Sequence, residues 1–146
     1  MSRGGPVTVR DVWRALDEHF PFAHRADGDN VGILLGDPGA SVRSALIALD
    51  ATPAVLSALR RRPADLLVTH HPVVHRPLSS IRPDLAPSAA AYALLRMGVA
   101  VVSAHTNADV APRGVSHAMA RRLGLRRIRP LIPGEPSSDA CKVTVF

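Results

Sequence analysis

Four short runs of nearly unbroken apolar residues constrain this chain more than any other feature: VGILLG (31–36), SALIALD (44–50), ADLLVTH (64–70) and GVAVVSAH (98–105). Each has the length of a strand, and none shows the apolar–polar alternation of a sheet with one wet face. Continuous apolarity predicts strands covered on both faces, as in a parallel sheet. The intervening segments agree. After Asp50, Thr52 can cap a helix with Pro53 in its first turn. RPDLAPSAAAYALLRM (82–97) is Ala-rich and helical in character, with Gly98 as its stop. A further helix is expected from about Val115 to Leu123, ending at Gly124. Ahead of the first run, Thr8 and Asp11 form a loose capping box, and Val9, Val12, Trp13, Leu16 and Phe20 recur at helical spacing until Pro21. The order predicts an α/β fold, a layered and mostly parallel sheet with helices packed on it, joined by right-handed crossovers.

At 146 residues the chain has the size of one domain. Apolar residues are 47% and charged ones 21%, which predicts a folded core, and with aromatics at 3% that core is built from Val, Leu, Ile and Ala. No apolar run approaches the ~20 residues of a membrane span, and MSRGGPVTVRDVW lacks the apolar segment of a signal peptide. The single cysteine, Cys141, has no internal disulfide partner, so the expected location is the cytoplasm. The net charge of +6 is carried by arginine, Lys142 being the only lysine. The clusters at 60–62 and 121–127 fall at helix ends, where cations complement the dipole, and no aromatics interleave them; both points argue against a nucleic-acid partner. IPGEPSSDA (132–140) reads as a polar linker and CKVTVF (141–146) as the first strand of a new unit. The sequence therefore predicts a lobe over 1–131 in a truncated chain.

Three expected strands end on polar residues, Asp50, His70 and His105, which would emerge along one edge of a parallel sheet. His70 and His71 are adjacent, so in extended backbone they point to opposite sides, and Pro72 holds His71 near extended geometry. That favours two neighbouring cations, each taking one imidazole, over one cation taking both. Such a pair needs a bridging carboxylate and water, and Asp109, four residues past His105, could supply the carboxylate. Imidazole with carboxylate suits Zn, Fe, Mn, Co or Ni. The competing reading is a set of hydrogen-bonded histidines at a strand end. His75 reads as a loop residue, and His19, His24 and His117 as residues without a site role. GDNVGILLGDP (28–38) reads locally as two turns around a strand.

The segments DNVGILLGDP, ALDATPAVL, DLLVTHHPVVHRPLSSI and SAHTNADVAPRGVSHAMARRLGL, collinear from about Val9 to Leu125, together resemble the N-terminal half of the NGG-interacting-factor-three-like proteins, often called type 2 GTP cyclohydrolase I homologues. The resemblance implies a layered α/β subunit, ring-like hexamers with an enclosed cavity, and a dinuclear metal centre. It makes His70 and His71 metal ligands, Asp109 the bridging ligand, and His105 a proton-transfer or supporting residue. Asp29 and Asn30 are minor candidates near the same edge. In the family a further His and Glu of an HxxxE segment complete the centre, and nothing in this sequence matches them. With three of five protein ligands, a full two-metal site is not expected from this chain alone, and apolar surface meant for the other half would be exposed. The implied activity is a metal-dependent hydrolase acting on a nucleotide or small heterocycle, by hydroxide attack at purine C8 with formate release. The alternatives are a metal-binding regulatory or interaction protein without turnover, and a degenerate fragment.

Overall fold

Thr8 opens the first helix, α1 (Val9–His19), through a reciprocal pair of bonds: the Asp11 amide donates to Thr8 Oγ1 at 3.2 Å and the Thr8 amide donates to Asp11 Oδ2 at 2.9 Å. Two of the helix's orphan donors are thereby satisfied. The computed structural model describes residues 5–130; the expected linker at 132–140, the strand at 141–146, Cys141 and Lys142 lie outside the described residues.

The strands are β1 (Gly32–Leu35), β2 (Ala45–Ala48), β3 (Leu66–Thr69) and β4 (Ala100–Ser103). They form one sheet in the order β1-β4-β3-β2, parallel across β2, β3 and β4, with β1 antiparallel on β4. The helices α2 (Pro53–Arg61) and α3 (Ser88–Arg96) make the crossovers that bring successive parallel strands side by side. Thr52 caps α2 as expected, with Pro53 at its start. In the 82–97 segment the helix is confined to the part after Pro87, because proline cannot donate to a preceding turn; Arg82 instead pairs with Asp84 at 2.6 Å. Two further helices follow the sheet, α4 (Thr106–Val110) and α5 (Val115–Arg122). The sequence reading anticipated α5 but not α4.

Two cores lie on opposite faces of the sheet. Val9, Phe22, Leu66, Ala100 and Val102 pack with Val12, Trp13 and Leu16 of α1, and Trp13 stacks on Phe22 at 5.5 Å between ring centroids. On the other face Leu56 and Leu59 of α2 and Leu94 of α3 pack on Leu67 and Val101. The central strands β3 and β4 are covered on both faces, as continuous apolarity predicts. The expectation fails for β2. Its residues alternate between exposed and half-buried, with Ile47 79% and the following Leu49 60% exposed, because β2 is an edge strand and only the α2 face is covered. The Gly36 turn is set by contact as well as by its positive φ of 93°: a Cβ there would stand 2.7 Å from Ala100 Cβ, so the first strand crosses β4 too closely for any side chain.

Asp65 ties the starts of β2 and β3 together. Its Oδ2 accepts from the Arg43 amide at 2.9 Å and the Ser44 amide at 3.0 Å. Those backbone donors, Arg43's first, hold the carboxyl below its ordinary 3.8. A depressed folded-state value contributes stability that is complete above the unfolded value and is lost as pH falls through the folded one. Asp65→Asn is therefore expected to lower the urea midpoint near neutrality, with the gap to the wild-type chain closing as pH drops below 3.8. A gap independent of pH would assign the effect to packing.

Candidate metal centre

Parallel register brings the strand-end residues to one level. Ala48 pairs with Thr69, and Thr69 with Ser103. Two residues further along each chain stand Asp50, His71 and His105. Beneath them Thr69 Oγ1 and Ser103 Oγ, both buried, share a hydrogen bond of 2.7 Å that satisfies two hydroxyls under the site. The strand pairing continues past β3, with the His70 amide donating to Ala48 O at 3.2 Å and the His71 amide to Leu49 O at 2.9 Å.

His70 and His71 do not diverge as strict strand geometry requires. Their ring centroids are 5.1 Å apart, and that of His105 lies 5.0 Å from His70 and 5.5 Å from His71. One ligand nitrogen from each of the three lies within 4.8 Å of the others. Separate partners turn each ring, the Ala104 carbonyl for His70 and Asp50 for His71. Asp109 arrives through α4: its amide donates to His105 O at 3.1 Å, one helical turn on, which sets its Oδ1 3.7 Å from His70 Nε2.

Each imidazole is held by Nδ1 on an oxygen. His70 Nδ1 lies 3.0 Å from the Ala104 carbonyl, His71 Nδ1 2.7 Å from Asp50 Oδ1, and His105 Nδ1 2.9 Å from Asp29 Oδ1. A carbonyl or carboxylate oxygen only accepts, so Nδ1 is the donor in all three rings, and in the neutral form of each Nε2 carries the lone pair. That is the outer-sphere arrangement of metal-binding histidines, in which the second nitrogen is committed to an oxygen and the first is left for the ion. His70 Nε2 faces Asp109 Oδ1 at 3.7 Å, and the three ring nitrogens converge within 4.8 Å. Imidazole nitrogens and a carboxylate oxygen gathered at one point are the donor set of a divalent metal, so the residues present fit one.

Asp29 is nearly sealed, with 4% of its side chain exposed. Burial alone pushes its carboxyl up, but the Thr106 hydroxyl, His105 and the Thr106 amide all donate to it, and together they hold it below its ordinary 3.8. Its neighbour Asn30 donates from Nδ2 to Val74 O at 2.6 Å, fastening the loop after the histidine pair. The turn reading of GDNVG therefore understates both residues. His75 comes only within 3.9 Å of Asp29, half-exposed, and Asp50 enters as the partner of His71. His19, His24 and His117 take no part in the cluster.

The chain matches the family model Duf34/NIF3 (NGG1p interacting factor 3) over residues 7–141. It belongs to the Duf34/NIF3 family. A Mycobacterium tuberculosis relative named "GTP cyclohydrolase 1 type 2 homolog" is 35% identical over 96% of the chain, and a Streptomyces coelicolor relative of the same name is 36% identical over 88%. The chain spans 36% of the first relative's length and 45% of the second's. Among solved structures, a Bacillus cereus protein related to NIF3 superposes with a TM-score of 0.83 at 30% identity, covering 90% of this chain and 37% of that one. A hypothetical protein from Staphylococcus aureus gives 0.82 at 29% identity, over 89% of this chain and 43% of that one. The resemblance drawn from the four sequence segments is thus correct for the family, and the NIF3 fold accounts for the layered sheet. No helix among the described residues is long and apolar enough to cross a membrane.

Proposed function

We propose that this NIF3 chain supplies the His70, His71 and Asp109 part of a divalent-metal centre for hydrolysis of a nucleotide or related heterocycle. The observation that carries the reading is geometric: ligand nitrogens of His70, His71 and His105 converge within 4.8 Å of one another, and Asp109 Oδ1 stands 3.7 Å from His70 Nε2. Relatives named as GTP cyclohydrolase homologues support a purine nucleotide as the substrate class. A divalent ion in such a site brings the pKa of a coordinated water down towards ~7 and supplies hydroxide at neutral pH. The protein's own share is orientation and proton handling. Ala104 O and Asp50 hold the rings of His70 and His71 at Nδ1, so that their Nε2 atoms would be the ones to hold metal. His105 Nε2 is the nitrogen free to accept a proton from the attacking water. For a purine, one water adds at C8, the C8–N9 bond opens to a formamide, and a second water releases formate and leaves the amine.

Two measurements test this. The 146-residue chain, stripped and reloaded with Zn, Mn, Fe, Co or Ni in turn, is expected to retain metal after gel filtration. Fused to the remainder of the Streptomyces coelicolor relative, it is expected to release formate from GTP. Metal retention without formate release from any purine nucleotide would favour the non-catalytic, regulatory reading. No retained metal in either form would overturn both.

The outer contacts should count as well. Asp50→Asn, which places an amide against His71 Nδ1, is expected to weaken metal affinity by about 10–100-fold. Isothermal titration of the two chains makes the comparison. Equal affinities would show that the 2.7 Å contact does not orient the ring.

A further inference from the structure

We propose that Asp29 is a positioning residue, whose carboxylate locks His105 in the Nδ1–H tautomer and so presents the Nε2 lone pair to the His70–His71 pair. The assignment rests on the reading of His105 as the proton acceptor of the site.

The division of labour between the two carboxylate oxygens carries the argument. Oδ2 is occupied by Thr106 alone, through the amide at 3.2 Å and the hydroxyl. That hydroxyl is itself oriented, because Thr106 Oγ1 also accepts from the Ala26 amide at 2.9 Å. The Thr106 proton is therefore directed at Oδ2. Among the described residues Oδ1 has one hydrogen-bonded partner, His105 Nδ1 at 2.9 Å, since His75 Nδ1 at 3.9 Å is beyond hydrogen-bond reach. A residue serving only to pin the loop ahead of β1 would be complete with the Thr106 contacts. The His105 contact is an addition, made across 76 positions of sequence by a carboxylate that is 4% exposed.

Among the described residues the other hydrogen bonds of His105 are made by its backbone, whose amide donates to Asn107 Oδ1 at 2.9 Å while Asn107 Nδ2 donates to Phe20 O at 2.6 Å; its ring otherwise packs against those of His70 and His71. Those bonds place the main chain and leave the ring's tautomer open. In water the two tautomers of a neutral imidazole coexist, so a ring that must accept a proton at one defined nitrogen needs an acceptor fixed at the other. Asp29 is the group that meets His105 there.

Asparagine at position 29 separates a pinning role from a positioning role. The Thr106 amide and hydroxyl both need an acceptor, which keeps the asparagine oxygen at the Oδ2 site and puts its NH2 against His105 Nδ1. An NH2 group only donates, so Nδ1 must give up its proton and the ring must become Nε2–H. The loop stays pinned and the tautomer inverts.

The experiment is long-range ¹H–¹⁵N correlation on the metal-free chain with ¹⁵N-labelled histidine, recorded above the titration range of imidazole. In the wild-type chain His105 is expected to show a protonated Nδ1 and an unprotonated Nε2. In Asp29→Asn the pattern is expected to reverse for His105, while His70, on the Ala104 carbonyl, keeps its own. A wild-type His105 in the Nε2–H form would overturn the proposal, as would an unchanged tautomer in a folded D29N chain. Should D29N lose its dispersed amide spectrum, Asp29→Ala combined with Thr106→Val removes the carboxylate together with the hydroxyl it accepts from, leaving the Thr106 amide. That variant is expected to give a mixed tautomer at His105, and a pure Nδ1–H form there would equally overturn the assignment. Neither metal nor nucleotide enters these spectra, so failure of the hydrolase reading leaves them unmoved.

Discussion

Alanine at position 70 is expected to lower the chain's affinity for a divalent ion by roughly 100-fold or more, since even loss of an outer-sphere partner costs about 10–100-fold. His70 is the hinge of the cluster. Its ring lies 5.1 Å from that of His71 and 5.0 Å from that of His105, and its Nε2 is the group set 3.7 Å from Asp109. In the proposed centre, removing it takes away one nitrogen ligand and strands Asp109 opposite an empty space. The ring is only 20% exposed, so the folded state is checked by circular dichroism on the same samples. His117→Ala serves as the control, because that histidine lies on α5 outside the cluster. Isothermal titration with Zn or Co should show the loss in H70A alone. Equal losses in H70A and H117A would mean that the binding is nonspecific, and undiminished binding in H70A would remove the strand-end histidines from the centre.

The second large effect is on stability. Gly114→Ala is expected to destabilise the chain by about 3 kcal/mol, at the upper end of what overpacking costs. Gly114 has an ordinary φ of −79°, so the issue is space, not conformational freedom. A Cβ there would lie 1.8 Å from the carbonyl oxygen of Ala108 and 3.0 Å from that of Ala111. Neither contact is with a side chain that can swing away. Relief requires α4 and α5 to separate, and Ala108 immediately precedes Asp109. Urea unfolding measures the loss, and ion titration of the remaining folded chain should show weakened affinity. An unchanged urea midpoint would mean that this junction is looser than the packing described.

How much of this could be read from the residues varies with the range of the interaction. The parallel core was legible because its signals are local: unbroken apolar runs, the Thr8 and Thr52 caps, and Gly98 after the third helix. Asp50, His70 and His105 were legible as strand ends for the same reason. The pairing of Asp50 with His71 was not, because it depends on the register of Ala48 with Thr69. The antiparallel placing of β1 against β4 was equally hidden, since it joins residues about the thirties with those past a hundred. Asp29, a minor candidate from the resemblance alone, was the residue its local sequence most undervalued. Beside a glycine it carries every mark of a turn residue, and its true partners, His105 and Thr106, lie far along the chain. The short helix α4 escaped because TNADV offers too few residues for a periodic pattern, yet it is what aims Asp109 at His70.

The strand order has a consequence for how the chain is made. β1 leaves the ribosome first and pairs only with β4, the last strand of the sheet to be synthesised. The face of α1 buried on that sheet, including the fully covered Val9, waits with it, because Ala100 and Val102 supply much of its contact. At about 5–20 residues per second, the first quarter of the chain, through β1, is held without β4 for several seconds. The parallel unit of β2 and β3 can meanwhile pair and close around α2. The topology thus allows assembly to begin in the middle, while β1 can join the sheet only after β4 has been made. The Asp29 contact with His105 joins an early segment to a late one, so it too can form only after β4 has been made.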